Sequence, residues 1–153
     1  MGIEKIFSVL KISGAGLSAQ RKWLEATASN IANVDTTETE NGGPYIPRRV
    51  RFREIGFGEI LRKVAGKAGQ IPSAAVSGLN AAVEAEQVLQ QRNPTQWVYE
   101  PQNPNANEEG YVEKPNINLV KEMSNMMLAS RAYEANVSVM NAAKNMIKKA
   151  IEI

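Results

Sequence analysis

A chain of 153 residues with a formal charge of +2 and 6% aromatic residues fits one domain, or one helical domain with an insertion, and its charge gives no argument for a nucleic-acid partner. It has no Cys and no His, which excludes a thiol nucleophile, structural zinc of the Cys/His type and an imidazole general base. No apolar run approaches the ~20 residues that span a bilayer, and the opening MGIEKIFSVLKISGAG lacks the long apolar stretch and small-residue cleavage site of a secretory signal.

The first element is a helix over residues 3–34. Ile3, Leu10, Leu17, Leu24 and Ile31 recur at intervals of seven, a seam that favours a left-handed coiled coil. Gly14 and Gly16 mark a soft place in it, or a place where another backbone comes close. Such a helix takes most of its stability from packing against a partner. Asn33, Asp35 and Thr36 end it through side-chain bonds to backbone, and Gly42-Gly43-Pro44 punctuates the loop that follows.

Residues 45–53 alternate, with Arg49, Arg51 and Arg53 on one side of a strand and Val50 and Phe52 on the other. From Glu54 to about Arg92 the pattern is ambiguous, although Phe57, Ile60, Leu61 and Val64 have helical spacing. Residues 93–115 are rich in Pro, Asn and Gly, with Trp97, Tyr99 and Tyr111 among them, and read as ordered loop. A second long helix begins at Asn116 or Asn118, either of which suits an N-cap. Its seam is Leu119, Met126, Tyr133, Met140 and Ile147, again at intervals of seven.

Gly14-Ala15-Gly16-Leu17-Ser18-Ala19 matches the G-x-G-x-x-A outline of a dinucleotide fingerprint, with Asp35 about 20 residues on. The seam runs through both glycines without changing period, and no further strand–helix units follow, so two glycines in an amphipathic helix are the better reading. Arg48, Arg49, Arg51 and Arg53 could bind phosphate or nucleic acid. A solvated strand face, or ion pairs to a neighbouring subunit, is the plainer reading, since only Phe52 interleaves them. Met123, Met126, Met127, Met140 and Met146 read as packing residues. Glu108 and Glu109 read as solvated loop, and no pair of carboxylates stands in a catalytic context. Residues 1–12 are a weak candidate for a membrane-surface helix.

GLSAQRKWLEATASNIANVDTTET followed by GGPY resembles the N-terminal signature of bacterial flagellar rod and hook proteins. VYEPQNPNANEEGYVEKPNINLVKEMSNMMLASRAYEANVSVMNAAKNMI resembles the C-terminal half of the proximal rod members of that family. The positions that carry the resemblance include Asn30, Asn33, Thr36, Gly42, Gly43, Pro44, Tyr45, Tyr99, Pro101, Gly110, Tyr111, Pro115, Asn116, Arg131 and Asn136. Asn103-Pro104 stands where the family usually has His-Pro. Residues 55–90 match poorly, though the resemblance implies a strand around Val83–Leu89, against local propensity.

The expected fold is mainly α. Residues 1–36 and 115–153 form an antiparallel coiled-coil pair lining an inner tube, and residues 37–114 form a small β- and loop-rich insertion. The resemblance implies a structural, non-enzymatic subunit with no catalytic residues, cofactor, metal, small-molecule substrate or nucleic acid. It implies export by the flagellar type III apparatus without a cleaved signal, then polymerisation in the periplasm into a hollow drive shaft. Its expected partners are copies of itself, other rod proteins, and the MS ring with its rod adaptor. Asn30 and Asn33 are expected to satisfy backbone groups at the helix end, Arg131 to make a salt bridge or amide contact at an interface, and the ends to be partly disordered before assembly. The rival readings are a cytoplasmic coiled-coil adaptor or export chaperone, and an enzyme binding nucleotide at Gly14–Ala19.

Overall fold

The computed structural model describes residues 3–55, 82–90 and 92–152. The helical spacing at Phe57–Val64 lies outside the described residues. The elements in order are α1 (Ile3–Ala32), β1 (Arg48–Ile55), β2 (Ala82–Leu89), β3 (Thr95–Tyr99), β4 (Tyr111–Pro115) and α2 (Leu119–Ile151). The strands form two two-stranded sheets, β1 with β2 and β3 with β4. The chain is therefore mainly α with a small β-rich middle. Two compact units are made from it, Met1–Arg21 with Phe52–Glu86 and Ser130–Ile153, and Lys22–Arg51 with Gln87–Ala129.

α1 runs unbroken through Gly14 and Gly16, so the strand–turn–helix that a dinucleotide fingerprint needs is not formed there. The helix ends where Asn33 curls back. Its backbone N–H and its Nδ2 both donate to the Ser29 carbonyl, at 3.2 and 2.8 Å. The Thr36 hydroxyl then donates to Asn33 Oδ1 at 3.2 Å. Gly42 and Gly43 follow with φ of 79° and 74°, the left-handed turn that only glycine takes without strain. α2 starts at Asn118, whose Oδ1 accepts the Lys121 N–H at 2.9 Å, an N-cap bond to the third helical residue.

β2 occupies the segment whose local propensity opposes a strand. Pairing to β1 overrides that propensity. The Gln90 N–H donates to the Pro47 carbonyl at 2.8 Å, Arg49 Nε donates to Gln90 Oε1 at 3.0 Å, and Arg53 pairs with Glu84 at 3.2 Å. The segment expected to be loop, residues 93–115, contains a hairpin instead. β3 and β4 pair antiparallel, Thr95 opposite Pro115, Trp97 opposite Glu113 and Tyr99 opposite Tyr111. Five-residue strands are too short for a period-two signal, and the Pro- and Asn-rich connection between them dominates the composition.

The enclosed positions of the helices are small or polar. In the first unit they are Ser13, Ala19 and Ala143, and in the second Ala26, Thr27, Asn30 and Ala129. The largest fully buried side chains are Val112, Thr27 and Pro115. On α2 the least exposed residues are Glu122, Asn125, Ala129, Ala132, Asn136, Met140, Ala143 and Ile147, three or four apart, with Val137 beside them. The residues of the expected seam differ in exposure. Leu119, Met126 and Tyr133 are 43%, 37% and 37% exposed, while Met140 and Ile147 are half-buried. Leu10, Leu17, Leu24 and Ile31 are half-buried too, and the side chain of Ile3 lies outside the described residues. Small residues at the enclosed positions let neighbouring backbones approach, and that leaves the larger side chains on the flanks.

Gly16 shows this close approach. A Cβ there would meet Asn136 Nδ2 at 2.9 Å, whereas one on Gly14 would meet nothing within 4 Å. Gly14→Ala should therefore raise stability by about 1 kcal/mol through helix propensity. Gly16→Ala should gain little or lose, because Asn136 must shift. Thermal unfolding followed by circular dichroism separates the two, and equal stabilisation would contradict the close approach.

Candidate functional site

The densest polar constellation is built on Asn30, 3% exposed near the end of α1. Its Oδ1 accepts the Arg48 backbone N–H at 2.8 Å and the Tyr45 hydroxyl at 3.1 Å. Its Nδ2 donates to the Arg48 carbonyl at 2.8 Å and to Glu122 Oε2 at 3.2 Å. An amide has two donor hydrogens and an oxygen with two lone pairs, and all four are used. Toward Arg48 the side chain acts as one more strand residue, taking the N–H and giving to the C=O at the start of β1. The Tyr45 oxygen also pairs with Ser29 Oγ at 2.9 Å. One side chain thus ties α1, the Gly42–Tyr45 loop, β1 and the first turn of α2. The expected local role differs from this: Asn30 serves a backbone 18 residues on.

The rest of the signature clusters on the β3–β4 hairpin. Tyr99 and Tyr111 pack edge to face at 5.3 Å. Gly110 has φ 80°, and a Cβ there would lie 2.9 Å from the Tyr99 ring and 3.2 Å from Pro101 Cβ, so both φ and space call for glycine. Asn107 shapes the tip, its Oδ1 accepting the N–H groups of Glu109 and Tyr111 at 3.1 and 2.8 Å. At the loop's entry Lys114 Nζ bonds Glu100 Oε1 at 2.6 Å, and Asn103 Nδ2 donates to Glu100 Oε2 at 3.1 Å. The Lys114 ammonium and the Asn103 amide hold the Glu100 carboxyl below the ordinary carboxylate range, and the Glu100 carboxylate raises the Lys114 ammonium in turn. Asn103, the residue at the family's histidine position, is thus a hydrogen-bonding strut. Asn116 joins the hairpin's far end, its N–H donating to Pro94 O at 2.9 Å and its Nδ2 to Asn93 O at 3.1 Å.

Arg131 pairs with Glu134 at 3.1 Å, one turn along an exposed face of α2. The part of α2 in the second unit carries exposed apolar side chains. Met123, Leu128, Met127 and Val120 are between 57% and 74% exposed. Among the described residues no three His, Cys, Asp or Glu gather in a way that could hold a metal ion. No described helix is long and apolar enough to cross a membrane.

Sequence reasoning missed two members of this constellation. Glu122 reads from the sequence only as a helix-dipole carboxylate, yet it receives Asn30. Asn107 stands three residues before Gly110, an Asx-turn spacing that could have flagged it.

Comparison with known proteins matches residues 10–38 to the family described as flagella basal body rod protein, and residues 108–153 to the C-terminal family of flagellar basal body rod FlgEFG proteins. The chain is similar over nearly its whole length to curated relatives called flagellar basal-body rod protein FlgC. It is 37% identical to that of Borreliella burgdorferi, with 97% of each chain covered. It is 35% identical to that of Bacillus subtilis, with 96% of this chain and 97% of the relative covered. To that of Escherichia coli O6:H1 it is 36% identical, with 97% of each covered.

Asn30→Ala should lower stability by about 2–4 kcal/mol, since it strands several enclosed partners that cost ~1–3 kcal/mol each when unsatisfied. Asn30→Asp should be worse at neutral pH, because a carboxylate would face both the Arg48 carbonyl and Glu122, and Glu122→Gln should partly rescue it. Urea unfolding of the three variants tests this order. The hairpin has its own pH dependence. Depression of the Glu100 pKa adds stability above the carboxyl's unfolded pKa, lost as pH falls through the folded value. Elevation of the Lys114 pKa adds stability below the amine's unfolded pKa, lost as pH rises through the folded value. In an NMR titration, Lys114→Met should move Glu100 back up toward the ordinary range.

Proposed function

The chain belongs to the flagellar basal-body rod protein FlgC family, and from that premise we propose that it is a structural subunit of the bacterial flagellar basal-body rod. It takes its place in the proximal rod, in the periplasm, after export by the type III apparatus without a cleaved signal. Its copies polymerise with other rod proteins into the hollow shaft that transmits torque and passes exported subunits, near the MS ring and its adaptor. It is not an enzyme.

The observation that carries this reading is the exposed apolar surface of α2, from Val120 through Leu128, in a chain whose described residues fully enclose no side chain larger than Val112, Thr27 and Pro115. A helix apolar on more than one face is normally covered by other protein. Pairing of α1 with α2 as an antiparallel coiled coil, with residues 37–114 as the insertion, supplies the inner tube. In its favour, Gly16 meets Asn136 within one unit and Asn30 meets Glu122 within the other, the number on α2 falling as that on α1 rises. The seven-spaced apolar residues and the signature residues then divide between the helix pair and contacts to neighbouring subunits. A cytoplasmic adaptor or export chaperone would share the exposed surface, but the near-full-length likeness to rod proteins favours the rod.

Mass spectrometry of purified basal bodies tests the reading. The chain should be present with an N-terminus lacking at most Met1, and recovery only from the soluble cytoplasm would overturn it. Tyr133→Ala should lower the free subunit's stability modestly, by about 1 kcal/mol, because the residue is already 37% exposed, while sharply reducing incorporation into rods. Normal motility and rod yield in that variant would remove Tyr133 from the subunit contacts.

A further inference from the structure

Beside the Asn30 amide, the second unit holds a cavity of about 140 Å³ whose lining includes Trp23, Thr27, Arg48, Arg49, Lys121 and Glu122. Three cations and one carboxylate line it. The carboxylate is engaged by amides, Glu122 Oε2 accepting from Asn30 at 3.2 Å and Oε1 from Asn125 at 3.4 Å. Arg49 Nε is turned to Gln90 at 3.0 Å. Among the described residues neither Arg48 nor Lys121 has an ion-pair partner. The cavity is therefore net positive. At ~30 Å³ per water it has room for several waters, and so for a carboxylate with the methylenes that carry it.

The same unit carries the complementary group. Glu108 and Glu109 are consecutive, exposed, and without an ion pair among the described residues. They stand on a tip already ordered by Asn107 and by the left-handed Gly110, so docking them orders little new backbone. We infer that the Arg48–Arg49–Lys121 cavity receives the Glu108–Glu109 tip of a second copy of this chain. A patch that meets a different patch on an identical neighbour makes a head-to-tail contact, which generates a ring or a helical array rather than a closed dimer. The inference rests on the rod-subunit reading, which supplies the second copy.

The natural chain has no cysteine, which makes the contact testable by crosslinking. Cells are made to carry a Lys121→Cys, Glu109→Cys double variant in place of the natural chain, and their basal bodies are oxidised with copper phenanthroline. The expected result is a ladder of disulfide-linked multimers that neither single variant gives. Incorporation of the double variant without a ladder overturns the inference and leaves the rod reading standing. Absence of the natural chain from basal bodies overturns both. If the cysteine pair blocks incorporation, charge exchange decides. Arg48→Glu with Lys121→Glu, and Glu108→Lys with Glu109→Lys, should each abolish motility, and the four together should restore it. Failure of the combination to restore motility overturns the pairing.

Discussion

The structure depends on one amide. Asn30, itself on α1, is addressed directly by a loop, a strand and a second helix, through Tyr45, Arg48 and Glu122. Its geometry leaves little slack, because its two bonds to the Arg48 backbone have fixed polarity. The Arg48 N–H can only donate and the Arg48 carbonyl can only accept, so the amide has one orientation and β1 has one starting register. A buried amide so engaged adds modest net stability, but an error at it is expensive. It therefore selects one arrangement of chain segments more than it deepens the well.

That selectivity matters because apolar packing supplies little of it. Among the described residues Val112 is the largest apolar side chain completely enclosed, and none of the leucines, isoleucines and methionines whose burial is described is fully buried. In most domains complementary packing of large side chains fixes the arrangement of elements. Here polar contacts do: the Asn30 amide, the Glu100–Lys114 pair, and the Asn33, Asn103, Asn107 and Asn118 side chains that close turns and cap helices. In the proposed rod, the exposed apolar side chains of α2 are the ones available for contacts beyond the subunit.

The long helices were legible because a period of seven over four or more repeats outweighs local noise, and both termini carry turn-forming Asn. α1 ends at Ala32 and α2 begins at Leu119, each within two residues or so of the positions read from capping chemistry. What periodicity could not show is which stripe is enclosed. Leucine at position 119 and alanine at position 129 compete for the inside, and hydrophobicity favours leucine. Close backbone approach favours alanine, and that is a tertiary fact. The hairpin was hidden for another reason. Its strands are five residues each and its pairing is cross-strand, so the signal lies in Tyr99 opposite Tyr111 rather than in either strand alone. The dinucleotide outline is rightly set aside, since glycine spacing says nothing of whether the backbone turns, and here it stays helical.

The enclosed alanines also bear on the fate of surplus copies. A fold whose described residues enclose few large side chains opens readily, and the population of open forms governs cleavage by proteases when reclosing is fast. In the proposed rod, where neighbours cover α2, the same openings must also break those contacts. A free copy is thus short-lived and an incorporated one persistent, so the fold itself clears what is made in excess and keeps what is built in.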